Sequence, residues 1–135
     1  VDPLAQLTFG LAHLPEGAAV PGVLTMRRDD RSDWLDFSFS VQALARAYPD
    51  AGNALWDSGT GHAARNPQVR QVEDWLASLG RYIFTAVPFG LGLIGSESDL
   101  DGLDAFVQAE EIPDIRPVGY LWPEEHRVLY SPRTV

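Results

Sequence analysis

Cysteine is absent from the 135 residues, which excludes disulfides and thiolate-held metal sites. Lysine is absent as well: all ten basic residues are Arg, so the chain has no P-loop lysine. With the many Ala, Gly and Leu, this usage reads as the coding bias of a high-GC bacterial genome. No apolar run approaches the roughly 20 residues that span a bilayer. No secretory leader is legible from Val1 onward, so the cytoplasm is the expected compartment. Positive charge is in deficit, 10 basic against 19 acidic residues, for a net charge of -9. A field of that sign repels nucleic acid and anionic membrane, so neither is an expected partner, whereas a basic protein is.

What remains is ample for folding. Hydrophobic residues make up 45% of the chain, enough for one domain with a sizeable core and too many for disorder. No internal repeat, low-complexity tract or linker interrupts it, and a single domain over residues 1–135 is expected.

The strongest pattern runs from Asn66 to Gly95. Asn66-Pro67 is a helix start: the Asn side chain accepts from the first turn, and proline's missing N–H costs nothing there. Val69, Val72, Leu76, Leu79 and Ile83 then recur at three-and-four spacing, with Trp75 and Tyr82 widening the stripe. Glu73, Asp74, Ser78 and Arg81 fall mostly off it. Gly80 costs the helix roughly 1 kcal/mol against Ala and marks a close crossing with a sheet. Pro88 stops the helix. Phe89-Gly-Leu-Gly-Leu-Ile94 follows, without charge or polar side chain, and reads as a central strand covered on both faces.

Elsewhere, Leu7, Phe9 and Leu11 alternate with Thr8, Gly10 and Ala12, as in a strand. His13 to Pro21 reads as a loop, and Val23 to Arg28 as a second strand. Leu35, Phe37, Phe39 and Val41 alternate with Asp36, Ser38 and Ser40, predicting a third with one buried face. Ser40 caps a short helix, Val41 to Tyr48, closed by Pro49. A helical turn is expected at Asn53 to Trp56. A further helix is expected over Ser98 to Glu111, with Leu100, Leu103, Phe106 and Val107 inward and a capping box from Ser98 and Asp101. Val118 to Trp122 and Arg127 to Tyr130 read as closing strands, and the last residues as frayed. The order β-β-β-α-α-β-α-β-β predicts an α+β fold: one mostly antiparallel sheet of about six strands with helices packed on one face.

Leu55-Trp-Asp57-Ser-Gly-Thr60 resembles the aspartic-protease signature, with Leu93-Ile94-Gly95 imitating its later apolar-apolar-Gly stretch. The resemblance implies paired Asp carboxylates across a homodimer. A long helix separates the two pieces, and the strands expected around them are missing; a Gly-rich turn with an Asp is the plainer account of the stretch. Gly90-Leu-Gly92-Leu-Ile-Gly95 has dinucleotide-fingerprint spacing, but its glycines lie inside the strand rather than after it. No cofactor is therefore expected. Nor is a metal: His13, His62 and His126 share no ligand spacing.

Two site readings stay open. Asp57, His62 and His126 are the candidate acid–base residues of a small hydrolase, His being the side chain that titrates nearest neutrality. Trp34, Trp56, Asp57, Trp122, Glu124 and Glu125 are the candidate partner contacts, since Trp anchors interfaces and carboxylates attract a basic surface. In size and acidity the chain is similar to bacterial immunity proteins, which neutralise a toxin by covering its site. That resemblance implies a protein-binding or inhibitory module, the expectation favoured over an enzyme. A homo-oligomeric accessory domain, joined through sheet edges or Trp residues, is the third.

Overall fold

The computed structural model describes residues 6–15, 19–28, 33–49, 63–96, 100 and 103–135. They show an α+β fold in two compact units, Val1–Gly52 and Asn53–Val135. Each unit carries its own three-stranded antiparallel sheet, ordered β1-β2-β3 and β4-β5-β6. The expected six-stranded sheet is thus corrected to two separate sheets. Each is a set of sequence neighbours, so each closes through local pairing without the long crossover that one shared sheet would need.

In the first unit, β1 (Gln6–His13) pairs with β2 (Ala19–Arg28), and β2 with β3 (Asp33–Phe39). β2 begins earlier than expected and runs through Pro21, whose position opposite Leu11 is part of the β1 register. Ser40 then caps α1 (Val41–Ala47), its hydroxyl accepting from the Ala43 amide at 3.4 Å. α1 packs on β2. Leu44, Tyr48, Val20, Ala12 and Leu14 are buried, and the Tyr48 hydroxyl donates to the Pro15 carbonyl at 2.7 Å. A buried phenol needs such a partner, because an unpaired hydroxyl in the core costs free energy.

The second unit is built on α2 (Pro67–Ala86), which follows a 3-10 turn at Ala63–Arg65. The Asn66 side chain accepts from the amides of Gln68 and Val69 at 2.9 and 3.2 Å, with Pro67 opening the first turn as expected. Val69, Val72 and Ala77 are fully buried, while Tyr82, placed on the stripe by its spacing, is 75% exposed. Glu73, expected on the solvent side, is buried.

β4 is only Gly92–Ile94 and lies at the sheet edge; the central strand is β5 (Gly119–Glu124), which also pairs with β6 (Arg127–Ser131). The expectation of a central Phe89–Ile94 strand is therefore overturned. Gly90 is exposed with open space beside it, and Phe89 packs edge-on against Phe84 of α2, centroids 5.2 Å apart. The apolar run is spent on packing against the helix rather than on ladder hydrogen bonds. The core joins Ala77, Ile94, Leu121 and Val128, flanked by Leu76, Phe84, Phe89 and Tyr130.

α3 is Leu103–Val107, shorter than the expected helix over Ser98 to Glu111. It stops before Glu110 and Glu111, whose charges would oppose the negative end of the helix dipole. Phe106 is half-buried against Tyr120, whereas Val107, expected inward, is 46% exposed. The Ser98–Asp101 capping box and the Asn53–Trp56 turn lie outside the described residues.

The last residues are not frayed. Pro132 has no N–H to continue the β6 ladder, and the chain turns toward Arg116 instead. The amide of Thr134 donates to the Arg116 carbonyl at 2.8 Å, and the Arg116 amide donates to the Thr134 hydroxyl at 2.7 Å.

Candidate protein-interaction surface

Strand geometry sends alternate side chains to opposite faces. On β2 and β3, one face carries Gly22, Leu24, Met26 and Arg28 opposite Phe39, Phe37, Leu35 and Asp33. Among the described residues, the face is buried at one end and exposed at the other. Val20 and Ala12, paired in register, are buried. Moving along the same face, Leu24 and Phe39 are half-buried, then Phe37, Leu35 and Met26 are 38%, 46% and 51% exposed. The expectation that Leu35, Phe37 and Phe39 all sit in a core is corrected for Leu35 and Phe37. α1 has seven residues, two turns, too short to roof a sheet whose longest strand has ten.

The exposed side chains are ordered relative to one another. Met26 stands directly opposite Leu35, and Leu24 opposite Phe37. Phe37 meets Phe39 edge to face, with centroids 4.9 Å apart and planes at 79°. Beyond Met26 and Leu35 the strip ends in an ion pair, Arg28 Nε to Asp33 Oδ1 at 2.9 Å. Both partners are exposed, so the pair contributes little to stability. It closes the apolar strip with a polar border.

Of the residues expected to bind a partner, Trp34 is in β3 but on the opposite face, half-buried. Trp122, Glu124 and Glu125 come together on one hairpin of the second unit. Trp122 is half-buried opposite Leu129, and Glu124 is exposed, 3.9 Å from Arg127. Glu125 sits at the turn with φ 56, in the left-handed region that side-chain-bearing residues disfavour. His126, the other turn residue, is exposed. Trp56, Asp57 and His62 lie outside the described residues, as does the stretch resembling the protease signature around Asp57. Among the described residues no three His, Asp or Glu side chains are grouped to hold a metal ion. No described helix is long and apolar enough to cross a membrane.

Sequence reasoning missed the buried polar centre of the second unit. Arg133 Nε donates to both oxygens of Glu73 at 3.0 Å, and a terminal nitrogen donates to Oε2 at 2.6 Å. Burial pushes the Glu73 carboxyl above its usual range; the Arg133 charge and hydrogen bonds, then Arg70, act against that, and Asp74 adds to it. Tyr130 is pushed well up by burial and by the charges of Glu73 and Asp74, and Tyr120 is raised by burial against an opposing effect of Arg116. One signal for this centre was present: Glu73 is flanked by Val69, Val72 and Leu76, and a carboxylate set between stripe residues needs a cation. Arg133, near the other end of the unit, carried no pattern to name it.

The chain matches no protein-family model, no curated protein and no solved structure.

Proposed function

We propose that this chain is a protein-binding module, of the inhibitory kind that immunity proteins exemplify, and that it docks its partner on the β2–β3 face carrying Met26, Leu35 and Phe37. One observation carries the reading: three large apolar side chains stand exposed side by side on a regular sheet face. Apolar side chains scattered singly on a surface are ordinary, but neighbours in register form a continuous patch that favours burial against another molecule. The net charge of -9 favours a basic partner, drawn in by long-range attraction before the apolar contact forms.

The test compares the wild-type chain with a Leu35→Glu/Phe37→Glu variant in affinity purification from the native host, followed by binding measurements on the partner recovered. The expected result is a basic protein held by the wild type and lost by the variant, with the variant's circular dichroism unchanged. Equal affinity in both chains overturns the reading. So does a stable wild-type dimer in sedimentation that the same substitutions split, since the face is then a contact between copies.

A further inference from the structure

Four glycines lie in the described strands, and packing explains three of them. A Cβ on Gly22 would come within 3.1 Å of a Phe39 ring carbon, one on Gly92 within 2.8 Å of Leu121 Cβ, and one on Gly119 within 3.2 Å of a Tyr130 ring carbon. Gly10, inside β1, is the exception. It is exposed, a Cβ there would meet nothing within 4 Å, and its φ lies outside the left-handed region that favours glycine. Glycine inside a strand weakens it, and a β-branched residue suits such a position better. Neither the backbone nor the described neighbours require glycine here. What a bare strand position offers is close approach of another group to the backbone.

The register places Gly10 beside the exposed apolar strip. Gly10, Gly22 and Phe39 form one row across the sheet, and Leu24 and Phe37 belong to the next row on the same face. The Phe39 side chain crosses from β3 to lie over Gly22. Its ring thus reaches the middle strand, one strand spacing of roughly 5 Å from Gly10. It also meets Phe37 edge to face. The row on the other side, Ala12 with Val20, is buried. Gly10 is therefore the floor of a notch walled by the Phe39 ring. A flat group laid on that floor comes within about 6 Å of the ring, the range of a cation–π contact.

Arginine suits this notch. Its guanidinium is planar, weakly hydrated and stacks on aromatic rings, whereas the lysine ammonium is compact and strongly hydrated. The net charge of -9 draws cations toward the protein, and the ring then selects the flat one.

We propose that Gly10 is the floor of an arginine subsite at the end of the β2–β3 apolar strip, with Phe39 as its stacking wall, and that the docking partner seats an arginine there. The partner's place in this rests on the docking reading above; the subsite itself is tested without a partner.

NMR of the full chain is followed during titration with capped tripeptides that carry arginine, lysine or tryptophan between two glycines. The arginine peptide is expected to shift the Gly10 amide and the Phe39 ring protons, with an affinity about threefold or more above that of the lysine peptide. Gly10→Val is expected to keep the wild-type fold, to denature at the same or a higher midpoint, and to lose these shifts. Equal response to lysine, tighter binding of tryptophan, or no shift at Gly10 at millimolar arginine peptide overturns the subsite. So does an unchanged response in Gly10→Val, or a Gly10→Val chain that is less stable or fails to fold, since the glycine is then structural. Partner binding separates the two readings. If Leu35→Glu/Phe37→Glu loses the partner while Gly10→Val holds it at wild-type affinity, docking on the strip stands and the arginine contact falls. If Leu35→Glu/Phe37→Glu keeps the partner while the arginine peptide still binds at Gly10, the docking reading falls and the subsite stands.

Discussion

Glu73 and Arg133 are 60 positions apart in the chain and share three hydrogen bonds in the interior. Burial raises the Glu73 carboxyl above its usual range, while the guanidinium beside it acts in the opposite direction. In a buried pair the cost of desolvating two charges offsets most of their mutual attraction. Replacing both members with apolar residues of similar volume, Glu73→Leu with Arg133→Met, is expected to leave global stability unchanged or raise it by about 1–4 kcal/mol. Urea denaturation followed by tryptophan fluorescence measures it. A loss of several kcal/mol in the double variant would show that the charges contribute net stability.

The tyrosines give the pH dependence. Tyr130 and Tyr120 both ionise at higher pH in the fold than in the open chain. A raised folded value means that the native state keeps a proton which the unfolded chain gives up. The associated stability is whole below the ordinary phenol value of about 10 and drains away as pH climbs above it. Stability should therefore fall steeply above about pH 10, and Tyr130→Phe should flatten part of that fall. Denaturant titrations at successive alkaline pH values measure the slope, and absorbance near 295 nm follows phenolate formation. Wild type and variant with the same slope would remove Tyr130 as the cause.

Much of the secondary structure was legible in the sequence, because its signals are local. Asn66-Pro67 and Ser40 mark helix starts through side chains that reach only two or three residues. The alternation from Leu35 to Phe39 marks β3 for the same reason. How strands share sheets is not local. The uncharged Phe89–Ile94 run carries the composition of a central strand, yet it is an edge of three residues, since the helix it follows takes its aromatic side chain. The patch at Met26, Leu35 and Phe37 was hidden by the same rule that found the strand: alternation says which side chains share a face, and nothing about whether a cover is long enough to reach them.

At the β5–β6 turn, Glu125 holds φ 56, which for a side-chain-bearing residue crowds Cβ against the backbone. Glu125→Gly removes the crowding, and part of the gain is returned as extra freedom in the unfolded chain. The expected net effect is about 0.5–1 kcal/mol of added stability. Thermal unfolding of the two proteins side by side checks it. A lower melting temperature in the variant would mean that Glu125 makes a compensating contact that outweighs its backbone.

At Gly80, α2 passes close to β5. A Cβ there would collide with Cδ1 of Leu121, a side chain that is itself 4% exposed and part of the core around Ala77 and Ile94. Helix propensity alone would make Gly80→Ala stabilising by about 1 kcal/mol. The collision works against this, because Leu121 is itself buried in the core, and overpacking a filled core costs about 1–3 kcal/mol. The expected sum is a net loss of up to about 2 kcal/mol. Leu121→Val, which shortens the opposing side chain, is expected to be destabilising alone but to cost less in the Gly80→Ala background. The two substitutions should therefore recover stability together relative to additivity, as residues in direct contact do. A double-mutant cycle by denaturant unfolding reads that coupling directly. Additive effects, or a Gly80→Ala variant more stable than the wild type, would place the helix farther from β5 than its glycine implies.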